Sequence, residues 1–480
     1  MKKWFLVFVL FCIGVFAFAG CGREDSNYPS YKIDVTFDEE SMSLSCQQET
    51  TFFNTTGKTL DRLCFFLYAN AFEQGQKPVA ASNFDKAYPH GESYGNITFQ
   101  NVETDNASAK TELSANHSIL TIYLEKPLQK NQEISVKMEY FVYLANINHR
   151  LGYGDDTVNC GSFFPILCVY ENGDFVQNGY AQAGDPFYSE VANFEVTLSC
   201  PKEYVVASTG DVISQSEGKR KIEANLVRDF CFVMSKKFEK KSEVVGDFEV
   251  NYLFYDDAKA NEHLQTAAKA MQTFCEMIGK YPYRQISIVK TDFCFGGMEY
   301  PNIVMISDAL VSEEEVAYVI VHELAHQWWY ALVGKNEFSE AWVDESLTEY
   351  STLLFFEKHA EFGINYDKSI SATTTSYKQF VKTYEKVFGF VDESMNRPLD
   401  KFSTEPEYVN CVYTKGVLLY DSVRERIGKK KFEKCLKAYF QKYKFKIAHA
   451  EDLKRCFSHA SGRQLSSLFD AWIEGRVKIK

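Results

Sequence analysis

His322, Glu323 and His326 stand together in the run His322-Glu323-Leu324-Ala325-His326. The surrounding residues 316–329 are apolar and helix-compatible, and Ser312 with Glu315 forms a capping-box pattern just before them. Residues four apart share a helix face one turn from each other, so two imidazoles at this spacing can hold one metal ion without strain. Glu323, between them, reaches a metal-bound water but points away from ligation. A catalytic zinc site takes three protein ligands and leaves a fourth position open. Eighteen residues separate His326 from Glu345, which lies in a second helix-compatible run, residues 341–350. Glu345 completes a His, His, Glu set, and Asp344 and Glu349 beside it favour a cation; the plain alternative is a solvated acidic helix face. Mixed nitrogen and oxygen ligands suit one zinc ion. It would lower its water's pKa toward about 7 and polarise a carbonyl. Glu323 would take the water's proton and pass it to a leaving amine, which is the chemistry of amide hydrolysis.

The elements that must position these groups follow from periodicity. Tyr31, Ile33, Val35 and Phe37 alternate with polar residues, as do Met42, Leu44 and Cys46, and similar runs occur at 119–124, 134–142, 194–198 and 204–207. Period-two alternation marks half-buried strands, so residues 31–246 are expected to form a large antiparallel β domain. Near Asn261 the period changes: Leu264, Ala267, Ala268, Met271 and Phe274 recur at helical spacing. Strands follow around Ile286–Ile288 and at 303–306, and after Ser312 the pattern is mostly helical. The fold class expected is therefore multidomain, β followed by α/β passing into α, with residues 247–480 as the catalytic domain.

The 480 residues carry a net charge of −13 and are 45% hydrophobic and 24% charged. That is ordinary for a folded multidomain protein and makes nucleic acid a poor partner. The 13 cysteines include no CxxC pair; they read as buried apolar residues, with no bridge indicated. Lys2 and Lys3 precede an apolar stretch to Phe18, then Ala19, Gly20 and Cys21. This reads as a signal peptide, residues 1–20, ahead of a lipidated Cys21 and a polar tether, residues 21–30. The alternative is an uncleaved anchor helix. Both place the folded part outside the cytoplasm at a membrane surface, in the first case as a bacterial lipoprotein.

HELAHQWW followed by WVDESLTEY resembles the HExxHxW and WLNEG segments of the aminopeptidase N family of zinc metallopeptidases, which includes leukotriene-A hydrolase. Gly296-Gly297-Met298-Glu299-Tyr300 resembles that family's GxMEN segment, and Tyr413-Thr414-Lys415-Gly416 its YxKG segment. The β half echoes it more weakly, in GDPFYSEVANFEV and Arg228-Asp229-Phe230. The resemblance implies a saddle-like β domain followed by a thermolysin-like domain, a gluzincin acting on peptides. It implies zinc on His322, His326 and Glu345, Glu323 as general base, and Tyr413 as donor to the tetrahedral oxyanion. Glu299 would pair with the substrate's α-amine, Tyr408 would support the substrate, and Gly296, Gly297 and Met298 would lie along the peptide.

Three departures stand out. Tyr300 and Asp344 each replace a usual Asn. Residues 159–165 (NCGSFFP) hold none of the Glu or Gln that normally supplies a second amine anchor from the β domain. The chain also ends soon after Trp472, so a more open cleft is expected. An aminopeptidase is the leading expectation. An endopeptidase on the same site and a non-catalytic binding lipoprotein are the alternatives.

Overall fold

The computed structural model describes residues 27–105 and 107–479. The expected signal peptide, Cys21 and the first part of the tether lie outside them. The first half is built on an eight-stranded sheet and two four-stranded sheets. Strand Ser30–Asp38 buries Tyr31, Ile33, Val35 and Phe37 and exposes the residues between them, as its alternation predicts. Its ladder with Ser43–Phe53 is antiparallel, but on its other side it runs parallel to Ala192–Ser199, with Ser30 opposite Asn193. The domain is thus not wholly antiparallel. A parallel pair cannot be closed by a hairpin, and the chain between these strands is long enough to build the smaller sheets before returning.

The second half opens on a five-stranded sheet in the order Glu239–Val245, Phe248–Phe254, Gln285–Thr291, Ile303–Ser307, Gly297–Met298. The sheet of the catalytic half therefore starts at Glu239, and the expected boundary at 246/247 falls in the turn of its first hairpin, where Val245 pairs with Phe248. Helix Ala260–Met277 packs against this sheet through Leu264, Ala267, Met271 and Phe274. The edge strand Gly297–Met298 pairs antiparallel with Ile303–Ser307, leaving its other edge toward the cleft. Helix Glu313–His326 packs behind that edge, helix Glu337–Lys358 packs on that helix, and helices Tyr366–Phe388 and Lys415–Ile427 complete the wall.

Arg228 stitches the halves together. It is 2% exposed. Its Nε donates to Tyr330 O (3.1 Å), and its two terminal nitrogens donate to Ser189 O (2.9 Å) and Lys446 O (2.7 Å). A Cβ at Gly334 would lie 2.0 Å from the guanidinium carbon, so only glycine admits the peg. Arg228→Met would bury three carbonyls without their charged donor. It is expected to cost about 3–5 kcal/mol, read as a lower urea midpoint; an unchanged midpoint would show that the peg carries no stability.

Candidate metal centre and active site

Helix Glu313–His326 begins as its capping box predicts. Ser312 accepts from the Glu315 amide and Glu315 reaches back to the Ser312 amide. It does not run on as α-helix to Trp329: after His326 the backbone widens into a π-helical segment, Gln327–Leu332. Gln327 then points at the turn after the edge strand, accepting from Asn302 N (2.9 Å) and donating to Tyr300 O (3.1 Å). This fixes the histidine helix against the segment that carries Glu299. Such π-turns recur at functional sites, and a second one, Asn410–Thr414, carries Tyr413.

The three expected ligands meet. His322 Nε2 and His326 Nε2 are 3.2 Å apart, and Glu345 Oε2 lies 3.6 Å and 3.2 Å from them. Both Nδ1 atoms face carboxylates, His322 with Glu349 (2.8 Å) and His326 with Asp344 (2.9 Å). With Nδ1–H donated to those acids, each Nε2 presents a lone pair. Two lone pairs and a carboxylate oxygen crowded together repel unless a cation sits between them. Donors about 2.1 Å from a tetrahedral ion stand roughly 3.4 Å apart, so the set fits zinc. Burial weakens the basicity of His322, yet the Glu345 and Glu349 carboxylates outweigh it and push the imidazole up to about 10. Burial opposes the charge on Glu345, but His326 and His322 together outweigh it and hold the carboxyl below its usual range. The cluster draws positive charge.

Glu323 is buried beside Gly297, and a Cβ at that position would fall 2.5 Å from its Oε1. The glycine is what lets the edge strand approach the base so closely. Burial raises the Glu323 carboxyl to about 7; the two imidazoles oppose the shift, and Glu345 and Asp185 add to it. A base poised there suits proton transfer near neutrality. The Tyr413 ring lies 6.0 Å from that of His322. Burial and Glu345 raise its hydroxyl well above the usual range, so it remains a donor. Ser346, next to Glu345, donates to Val412 O (2.6 Å), and a Cβ at Gly416 would strike the Ser346 hydroxyl at 2.2 Å. The glycine of YTKG thereby sets the spacing between the ligand helix and the tyrosine turn. Tyr408 is buried with its ring 5.7 Å from Tyr413 and lines the cleft.

Met298 lies on the edge strand beside the cleft, with its side chain turned inward. It is 1% exposed and turns into the core shared with the β half, so its side chain does not face the cleft. Gly296 and Gly297 do line it. Tyr300, in place of the usual Asn, packs on Gly161, where a Cβ would lie 2.2 Å from the phenol oxygen, with Ser162 Oγ 3.2 Å from that oxygen. The NCGSFFP segment thus supplies a socket for Tyr300, and no acid.

The acid from the β half comes instead from Asp185. One of its oxygens lies with those of Glu299 and Glu345 in a group whose atoms are all within 4.8 Å of one another. Arg150 Nη1 donates to Asp185 Oδ1 (2.5 Å), and both side chains are largely buried. Glu299 Oε1 is buried without a hydrogen-bond partner. Burial raises the Glu299 carboxyl, and its acidic neighbours add to the rise against the pull of His326. Asp185 stands in the GDPFYSE run, where no spacing rule links it to a metal site more than a hundred residues later. The cleft above these groups has a volume of about 630 Å³ and is walled by both halves, with His149, Arg150, Tyr180 and Phe295 on one side and Val319, Ala372, Thr373 and Val417 on the other.

Residues 262–472 match the peptidase family M1 domain. The aminopeptidase N of Lactococcus lactis subsp. lactis is 28% identical over 214 residues, which are 41% of this chain and 24% of that protein. The aminopeptidase B of Mus musculus is 25% identical over 317 residues, 61% of this chain and 43% of that protein. The chain thus spans less than half the length of either relative. The crystal structure of an M1 zinc metallopeptidase from Deinococcus radiodurans superposes with a TM-score of 0.64 at 15% identity, covering 94% of each chain. A two-domain M1 zinc metallopeptidase bound to L-arginine does so over 95% of each chain, again at 0.64 and 15%. The likeness to both structures lies in the two-half fold. The chain thus carries a peptidase family M1 domain over residues 262–472, is similar to aminopeptidases, and shares its two-half fold with M1 zinc metallopeptidases.

Proposed function

We propose that the protein is a zinc aminopeptidase that removes N-terminal residues from peptides, using one ion held by His322, His326 and Glu345. Zinc, when bound there, supplies Lewis-acid polarisation and makes a water easier to deprotonate. Glu323 takes the proton of the attacking water and delivers it to the leaving amine. The Tyr413 hydroxyl donates to the oxygen that gains charge as the carbonyl becomes tetrahedral. The backbone at Gly296 and Gly297 lies along the peptide.

The observation that carries the exopeptidase reading is the pair Asp185 and Glu299 beside the ligand set, with Glu299 Oε1 unpartnered. Glu345 is committed to the metal, which leaves these two acids for a substrate ammonium. Bound there, the substrate's α-amine would limit cleavage to the first residue. A solved neighbour of this fold is described as bound to L-arginine, a free amino acid and so the class of product that an aminopeptidase releases. We further propose, from the Lys2-Lys3, apolar and FAGC pattern, that the enzyme works outside the cytoplasm as a lipoprotein anchored through Cys21.

Glu323→Gln should keep zinc and lose about 10²–10⁴-fold in kcat on aminoacyl-coumarins; full activity would overturn the assignment of the base. Asp185→Asn should lower kcat/KM for free-amine peptides by about 10–100-fold, the worth of one charge-assisted hydrogen bond. N-terminally acetylated peptides should be poor substrates for the native enzyme, and their rapid cleavage would favour an endopeptidase. Mass spectrometry of the membrane fraction should find a chain starting at a lipid-modified Cys21; an intact Met1 would rule lipidation out.

A further inference from the structure

Lys335 is buried, its side chain 1% exposed, one residue after the short strand Val333–Gly334. It touches neither the cleft nor a metal ligand. Its ammonium donates to Trp329 O (2.7 Å), forms a close ion pair with Asp344 Oδ2, and lies 3.6 Å from Glu337 Oε1. Asp344 Oδ1 in turn faces His326 Nδ1 at 2.9 Å, and Thr348 Oγ1 lies 3.2 Å from the same nitrogen. The other ligand histidine has a different backing. His322 Nδ1 meets Glu349, whose second oxygen accepts from the Tyr318 hydroxyl (2.5 Å), a neutral donor at the edge of the cleft. Only the His326 branch ends on a buried cation.

We propose that Lys335 is a positioning residue for the metal centre, acting on His326 through Asp344. The inference rests on the zinc reading of the site. An imidazole whose Nδ1–H is donated to a carboxylate holds one tautomer and one ring orientation and is a stronger ligand through Nε2. That carboxylate must keep its direction in a fully buried setting, beside Glu337 and one residue from Glu345. Lys335 occupies the oxygen that His326 does not use and supplies the counter-charge there. The π-helical segment Gln327–Leu332 makes this possible, because it returns the chain so that Lys335 reaches back to Trp329 O in its first turn. A neutral residue at 335 would leave Asp344 free to turn from His326, which loosens the ligand.

The test is zinc affinity of the purified full chain, measured by competition with a chromophoric chelator, on the wild type, K335M, D344N and the double variant. D344N should weaken zinc about 10–100-fold, and K335M about tenfold although it touches no ligand. The double variant should bind no more weakly than D344N, because the lysine acts through the aspartate. Cobalt-substituted K335M should show ligand-field bands displaced from those of the wild type. Zinc affinity of K335M within twofold of wild type, or a loss that adds in full to that of D344N, would overturn the proposal while leaving the zinc site standing. A wild type that binds no zinc would instead overturn the zinc reading, and this inference with it. Should K335M not fold, the comparison of D344N with the double variant decides.

Discussion

Asp185, Glu299, Glu323, Glu337, Asp344, Glu345 and Glu349 are gathered in one small region, most of them withdrawn from water. Burying charge without compensation is among the most costly things a fold can do. The protein meets this cost in three places. Arg150 answers Asp185 on the substrate side, Lys335 answers Asp344 on the far side, and the two imidazoles converge with Glu345 at the centre, where a divalent ion fits. Much of the surrounding architecture can be understood as holding these compensations in register.

That constraint explains why the scaffold is so closely packed just where it is irregular. The two π-turns and the glycines at 297 and 416 all occur around the metal centre. Each brings two backbones or a backbone and a side chain nearer than regular elements allow. Gly297 admits Glu323, Gly416 admits Ser346, and Gly161 admits Tyr300. The β half is part of the same device. It contributes Asp185 and Arg150 directly, and Arg228 pins it to the carbonyls of the catalytic half.

The strands of the first half were legible because one face of each is buried and the side-chain period of two survives in the order of residues. The histidine pair and Glu345 were legible because helix geometry turns a spacing of four into a shared face, and because the family resemblance marks Glu345, Tyr413 and Glu299. The parallel neighbour of strand Ser30–Asp38 was not legible, since pairing between residues about 160 positions apart leaves no local pattern. The hairpin across the expected domain boundary escaped for a related reason: Glu239–Val245 has an exposed face and alternates too weakly to announce which sheet it joins. Met298 sits in a motif that lies along the cleft, but alternation along its short strand sends the side chain to the core.

What the order of amino acids determined by itself was the chemistry: two imidazoles a helical turn apart, a carboxylate between them and another beyond, in a chain whose first half makes sheets. Local geometry converts such spacing into a shared face without reference to the rest of the molecule. What only the tertiary structure decided was which acids reach that face and what neutralises them. Asp185 stands beside Glu299 and Glu345, where residues 159–165 bring no acid, and Lys335 stands behind Asp344. Such contacts depend on how separate elements are packed, and charge compensation across a buried space is a property of distances that sequence separation does not encode.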